Sequence, residues 1–69
     1  MFLTIKYINN KFYFDFSDGL SYIFHSKEEA INALTETLTQ RTLCYVNLKD
    51  LATHYIDTCI NKKLILLEV

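Results

Sequence analysis

The sequence predicts an α+β domain of 69 residues with the element order β-β-β-α-α-β. Three observations lead to this fold class. Two turn motifs, at Asn9 and Asn10 and at residues 17–19, separate three runs rich in aromatic and β-branched residues. After Ser26 the apolar spacing changes from two residues to about 3.6, which is typical of helices. A final apolar run at residues 64–69 predicts a last strand that joins the sheet beside the first, with both helices on one face.

The first turn fixes the register of the opening hairpin. Two asparagines in a two-residue loop favour a type I′ turn, because Asn tolerates positive φ. This loop opposes Ile5 to Phe14, and opposed residues share a face of the sheet. One face is then predicted to carry Leu3, Ile5, Tyr7, Phe12, Phe14 and Phe16. The other face is predicted to carry Thr4, Lys6, Ile8, Lys11, Tyr13 and Asp15.

The second turn allows two interpretations. A two-residue loop at Asp18 and Gly19 opposes Phe14 to Ile23, whereas a three-residue loop with Gly19 in the left-handed conformation opposes Phe14 to Tyr22. We prefer the longer loop, because a slip of one residue moves a whole strand to the wrong face and because glycine adopts this conformation readily. It predicts one aromatic face, hidden beneath the helices, that carries Phe12, Phe14, Phe16, Tyr22 and Phe24.

Capping residues mark both helices. Ser26 followed by Glu29 forms a capping-box pattern, and the first helix is predicted over residues 27–40. Asn47 is the candidate N-cap of the second helix, which ends near Lys63. The buried stripe of the first helix is predicted at Ala30, Ile31, Leu34 and Leu38, and that of the second at Leu48, Leu51, Ala52, Tyr55, Ile56, Cys59 and Ile60.

Two segments are less regular. Residues 42–46 form an apolar connection, either a frayed helix end or a short extended piece. The last run is almost wholly apolar, which is typical of a strand that lies inside a sheet or is covered on both faces. If Ile65, Leu67 and Val69 face the helices, then Leu64, Leu66 and Glu68 face away, beside Tyr13 and Ile23 on an uncovered sheet face. Such a face is either a partner surface or an ordinary sheet surface with scattered apolar residues.

Composition excludes several classes. A net charge of −1 does not favour a general nucleic-acid or anionic-membrane surface. No apolar run approaches the roughly 20 residues that span a bilayer, and no signal peptide is visible, so we expect a cytoplasmic protein without membrane contact. A single glycine excludes a glycine-rich phosphate cradle. We expect no cofactor. Cys44 and Cys59 lack the short paired spacing of a zinc site and are expected as buried thiols, with a disulfide as the alternative.

One polar cluster invites a chemical interpretation. Asp50, His54 and Asp57 fall on one side of the second helix, a spacing that suits either a metal or an acid–base pair. A solvated polar face with favourable charge spacing is the other interpretation, and we prefer it because a further ligand or nucleophile is missing. His25, at the end of the third strand, is expected on the surface. The sequence therefore predicts no catalytic residue and no metal site.

Two resemblances bear on function. The stretch from Phe12 to Gly19, followed by Ser26 and the Lys-Glu-Glu-Ala segment, resembles HicB-type antitoxin domains, which implies a regulatory or structural homodimer. The proline-containing loop of that family is absent, and two helices precede the last strand. In small size, acidic helix faces and lack of an active-site motif, the chain is similar to small phage-encoded inhibitors of host systems, including anti-CRISPR proteins.

These observations predict a non-enzymatic binding protein that acts by steric occlusion of a larger macromolecular partner, a protein or a ribonucleoprotein. Direct nucleic-acid binding is not expected, because the aromatic residues fall on the covered face and basic charge is sparse. The alternative is a homodimer formed through the last strand or the open sheet face. Candidate contacts are the helix positions and two residues of the open sheet face: Glu28, Glu36, Asp50, His54, Asp57, Tyr13 and Ile23.

Overall fold

The structure is a computed structural model that describes residues 1–41 and 47–69. In these ranges it contains one four-stranded antiparallel sheet of order β3-β2-β1-β4 and two helices, which confirms the predicted α+β fold. The predicted connection at residues 42–46, including Cys44, lies outside the described residues. The elements in chain order are β1 (Phe2–Ile8), β2 (Lys11–Phe16), β3 (Ser21–Phe24), α1 (Lys27–Arg41), α2 (Leu48–Lys62) and β4 (Leu64–Glu68).

The first hairpin has the predicted register. Asn9 and Asn10 have φ angles of 52° and 64°, so both occupy the left-handed region that a type I′ turn requires. Ile5 pairs with Phe14 across the two strands. The predicted two faces of this hairpin are therefore confirmed.

The second turn is the three-residue loop. Gly19 has a φ of 100°, and its backbone N–H donates to the Phe16 carbonyl at 3.0 Å. The Phe16 N–H donates in turn to the Leu20 carbonyl at 2.8 Å. Tyr22 therefore opposes Phe14, and the alternative two-residue loop is wrong.

Side chains cap both helices as their sequences predict. Ser26 Oγ accepts a hydrogen bond from the Glu29 N–H at 3.1 Å, and Asn47 Oδ1 accepts from the Lys49 and Asp50 N–H groups at 3.1 and 3.3 Å. α2 ends at Lys63, whose φ of 70° directs its N–H to the Cys59 carbonyl at 2.7 Å. This left-handed cap turns the chain directly into β4.

The last strand corrects one expectation. β4 lies at the edge of the sheet beside β1, and Leu64 and Leu66 face away from the helices, which confirms its predicted place; the interior or doubly covered strand that the apolar run alone favours is wrong. Leu64 and Leu66 are 53% and 64% exposed, while Ile65 and Leu67 pack against the core. The apolar run misled because leucine or isoleucine occupies both faces of this strand, which hides the alternation that normally marks a half-buried strand.

The core lies between the inner sheet face and the two helices. α2 packs on β1 and β4, and α1 packs on α2 and on β3. No helix in the described ranges is long and apolar enough to cross a bilayer. The buried side chains are Leu3, Ile5, Phe12, Phe14, Ala30, Ile31, Leu34, Ala52, Ile56 and Cys59.

The aromatic face is covered only in part. Phe12 and Phe14 are fully buried, whereas Phe16 and Phe24 are half-buried and Tyr22 is 48% exposed. All five rings lie on the predicted side of the sheet, but the expectation that the helices hide them together was wrong for Tyr22. The helical layer leaves the outer end of the β2–β3 hairpin open.

Candidate functional site

The sheet face that points away from the helices is covered by none of the described elements. We call it the outer sheet face. Its central rows run across all four strands, because Tyr13 pairs with both Ile23 and Lys6, and Lys6 pairs with Leu64. Its members are Phe2, Thr4, Lys6, Ile8, Lys11, Tyr13, Asp15, Ser21, Ile23, Leu64, Leu66 and Glu68.

Five large apolar side chains of this face are exposed. Their exposed fractions lie between 49% and 64%, so they stand largely in solvent. Leu64 and Leu66 lie two residues apart on β4, and Ile23 lies beside Tyr13, with Thr4 and Lys6 of β1 between these two groups. The exposed apolar residues of the outer sheet face are Phe2, Ile8, Ile23, Leu64 and Leu66.

Polar and charged residues are interspersed among the apolar side chains of the outer sheet face, and some of their groups are already paired. Ser21 Oγ donates to Asp15 Oδ1 at 2.9 Å across the β2–β3 ladder. Lys6 lies between Tyr13 and Leu64 in the adjacent row. An apolar surface with a few fixed polar groups is suited to recognition of another protein, since the polar groups give orientation and the apolar area gives affinity.

A second candidate site lies on the helix side of the sheet. A cleft of about 400 Å³ opens between the β2–β3 hairpin and α1. We call it the aromatic cleft. Leu20 and Tyr22 stand half-exposed at its mouth. Its sheet side is lined by Phe14, Phe16, Leu20, Tyr22 and Phe24, its α1 side by Ala33, Glu36, Thr37 and Gln40, and its ends by Met1 and Asp18.

The rings of the aromatic cleft support one another. Phe14 and Phe24 make an edge-to-face contact with centroids 4.9 Å apart, and Phe16 and Tyr22 make another at 5.9 Å. Tyr22 also stacks on Phe24 at 6.4 Å. These contacts hold the rings in fixed positions although the helices do not cover all of them.

Sequence reasoning missed the aromatic cleft. One signal pointed to it: residues 33, 36, 37 and 40 recur at helical spacing on α1 and are small or polar. This stripe faces β3, so no large apolar side chain from α1 fills the space against Phe24 and Tyr22. When one side of a helix carries only small or polar side chains and packs opposite an aromatic strand, an open cleft is expected between them.

The structure separates the predicted acidic contacts. Asp57 makes an ion pair with Lys27, which ties α2 to the first turn of α1, and both side chains are about half-exposed. Glu36 lines the aromatic cleft instead, because nine residues at about 100° each place it on the opposite side of α1 from Lys27. Glu28 and Asp50 are exposed in the first turns of their helices.

His54 is exposed on α2, with its ring centroid 6.2 Å from that of Tyr55. His25 is exposed at the end of β3, as expected. No group of three or more His, Cys, Asp or Glu side chains in the described ranges could hold a metal ion.

Cys59 is a buried free thiol rather than half of a disulfide. Its Sγ donates to the Ile5 carbonyl at 3.4 Å, between α2 and β1. Burial raises the pKa of this thiol, and the nearby charge of Lys63 offsets part of the effect. The side chain is therefore a protonated core residue and a poor nucleophile.

Comparisons with protein-family models, with curated proteins and with solved structures found no match for this chain. The resemblances to HicB-type antitoxin domains and to anti-CRISPR proteins therefore rest on the sequence features alone.

Proposed function

We propose that this protein is a non-enzymatic binding domain that covers a functional surface of a partner protein or ribonucleoprotein with its outer sheet face. The observation that carries the proposal is the set of five exposed large apolar side chains on β1, β3 and β4, which lie with Tyr13 of β2 on one uncovered face of the sheet. The same proposal includes inhibition of the partner, in the cytoplasm, by covering its functional surface. The small size of the domain and the absence of a catalytic motif in the sequence support this part of the proposal.

The size of the outer sheet face fits this role. Four strands spaced about 4.8 Å apart, each about six residues long at about 3.4 Å per residue, cover about 400 Å². This is the area of the whole face, with its polar and apolar side chains together. It is enough for the centre of an interface, in which Lys6 lies between the apolar side chains, while Lys11 and Glu68 lie at the ends of their strands.

The outer sheet face is a better candidate than the acidic helix positions. The carboxylate of Asp57 is already paired with Lys27, and Glu36 lies apart from the exposed side of α2. Asp50 and His54 remain as neighbours on α2, but two polar residues alone do not form an interface centre. The predicted contacts Tyr13 and Ile23 fall on the outer sheet face.

A matched pair of variants tests the proposal. The double variant Ile23→Thr and Leu66→Thr places β-branched threonine, which suits strands, at both positions and removes exposed apolar area. The control double variant Asp50→Asn and His54→Gln changes the exposed side of α2. We expect the first to lose the partner that wild-type protein captures from a lysate of the source cells, measured by quantitative mass spectrometry, and the control to retain it. Equal capture by both variants, with unchanged circular dichroism, contradicts the proposal.

A homodimer is the second candidate, and the outer edge of β4 favours it. The Tyr7 N–H donates to the Lys63 carbonyl at 2.9 Å, and the Val69 N–H donates to the Met1 carbonyl at 2.8 Å. Backbone groups of the odd-numbered residues therefore face β1, and those of Leu64 and Leu66 face outwards by alternation. Two copies of β4 can pair along this edge in antiparallel orientation.

Light scattering on purified protein over a hundredfold concentration range tests the homodimer. A dimer that Leu66→Lys converts to a monomer supports it. A monomer at every concentration rules it out and leaves the outer sheet face available to a different protein.

A further inference from the structure

The aromatic cleft is a second binding site, on the opposite side of the sheet from the proposed docking surface. We infer that it binds an arginine side chain of a partner protein, with an apolar residue of the same partner segment seated beside the guanidinium. Three features of the cleft carry the inference: its aromatic lining, the negative charge of Asp18 and Glu36, and the excess of hydrogen-bond acceptors among its polar groups.

The described side chains that line the cleft carry a net negative charge. Asp18 and Glu36 line it, and none of the described side chains there is a lysine or an arginine. Among the side chains of residues 1–40 and 47–69, neither carboxylate has an ion pair, since the ion pair that the structure gives joins Lys27 to Asp57. Counting an amino group at Met1 as one positive charge still leaves an excess of carboxylate, so the cleft attracts a cation.

Two carboxylates make the polar groups of the cleft richer in acceptors than in donors, and its donors include the Gln40 amide and the Tyr22 hydroxyl. Thr37 Oγ1 already donates its proton to the Ala33 carbonyl at 3.0 Å, which leaves only its lone pairs and methyl group for a ligand. Asp18 Oδ1 accepts from the Leu20 N–H at 3.2 Å, and its second oxygen is a further acceptor. A guanidinium carries five N–H donors and no acceptor, so it matches this set, as a carboxylate or a phosphate does not.

The aromatic lining selects arginine among cations. Tyr22 is 48% exposed, and its ring stacks on Phe24, which holds its plane fixed. A planar guanidinium stacks on such a ring while it pairs with a carboxylate, whereas a lysine ammonium remains strongly hydrated. Leu20 lines the cleft, is 54% exposed and offers an apolar contact there. The residue of the partner segment that lies beside the arginine is therefore apolar.

The cleft volume sets the size of the occupant. About 400 Å³ accommodates a long side chain and part of a neighbour, and falls within the range of about 300–1,000 Å³ that is typical of ligand sites. One arginine side chain with one apolar neighbour therefore fills the cleft, and no helix of the partner needs to enter it.

Titration of ¹⁵N-labelled protein with N-acetyl-leucyl-arginine amide tests the inference directly. We expect amide shifts centred on Tyr22, Glu36 and Thr37. The isosteric citrulline peptide, which lacks the charge, should bind about fivefold more weakly, the upper range for an exposed ion pair. The lysine peptide and the glycyl-arginine peptide should both bind more weakly than the leucyl-arginine peptide.

Two variants of α1 provide the matched control. Glu36→Gln should abolish the preference for arginine over citrulline, whereas Glu28→Gln, the same charge change in the first turn and outside the cleft, should leave it intact. Shifts centred elsewhere, equal binding of the citrulline or lysine peptide, or equal effects of the two glutamine variants would overturn the assignment. A glycyl-arginine peptide that binds as tightly as the leucyl-arginine peptide would overturn the part that requires an apolar neighbour.

Discussion

Three aromatic residues on one sheet face should differ sharply in their contribution to stability. Phe14 is fully buried, Phe24 is half-buried and Tyr22 is 48% exposed. Replacing Phe14 by alanine removes a ring from a closed core and should lower the free energy of unfolding by about 3–5 kcal/mol. Replacing Tyr22 by alanine removes about half as much buried ring area, together with the contacts with Phe16 and Phe24. The free energy of unfolding should fall by only about 1–2 kcal/mol, because the variant no longer loses the entropy of ordering this side chain.

Urea unfolding followed by far-ultraviolet circular dichroism measures this difference. A chain of this size is expected to have a stability of about 3–10 kcal/mol, so Phe14→Ala is expected at or beyond the limit of folding while Tyr22→Ala stays folded. Phe24→Ala should fall between them. If Tyr22→Ala destabilises the protein as much as Phe14→Ala, the helical layer closes over Tyr22 and the aromatic cleft does not exist.

Three further substitutions test local features. Gly19→Ala should cost about 1 kcal/mol or more in thermal or urea unfolding, because φ is 100° there although no atom lies within 4 Å of an added Cβ. Asn47→Ala should cost about 1 kcal/mol, because two N–H groups of α2 lose their acceptor, and Asn47→Asp should restore most of it. Burial raises the pKa of the Cys59 thiol, so the stability that this side chain contributes is present at neutral pH and declines as the pH rises above the ordinary thiol pKa. The difference in the free energy of unfolding between wild type and Cys59→Ala should therefore be smaller at high pH than at neutral pH.

Local chemistry made most of this fold predictable. Asn9, Asn10 and Gly19 fix the two turns, and each turn fixes the register of its strands, since a slip of one residue would expose a whole apolar face. Ser26 and Asn47 mark the helix starts through hydrogen bonds within three residues along the chain. Such short-range interactions depend on neighbouring residues alone, so the sequence contains the information.

The positions of the helices over the sheet were less predictable. The exposure of Tyr22 depends on where α1 lies across β3 and on the small or polar stripe that it presents there, which joins residues far apart in the chain. The outward direction of Leu66, in contrast, followed from the predicted place of β4 beside β1 and from the alternation of side chains along a strand. The outer sheet face followed from register, whereas the aromatic cleft required the packing of separate elements.

The central claim is that the outer sheet face contacts the partner. Site-specific photo-crosslinking in the source cells tests it most directly, with p-benzoylphenylalanine at Tyr13 or Ile23 on this face and at His54 on the exposed side of α2. We predict a crosslink to the same second protein from both sheet positions and none from α2. A crosslink from His54 alone would contradict the claim.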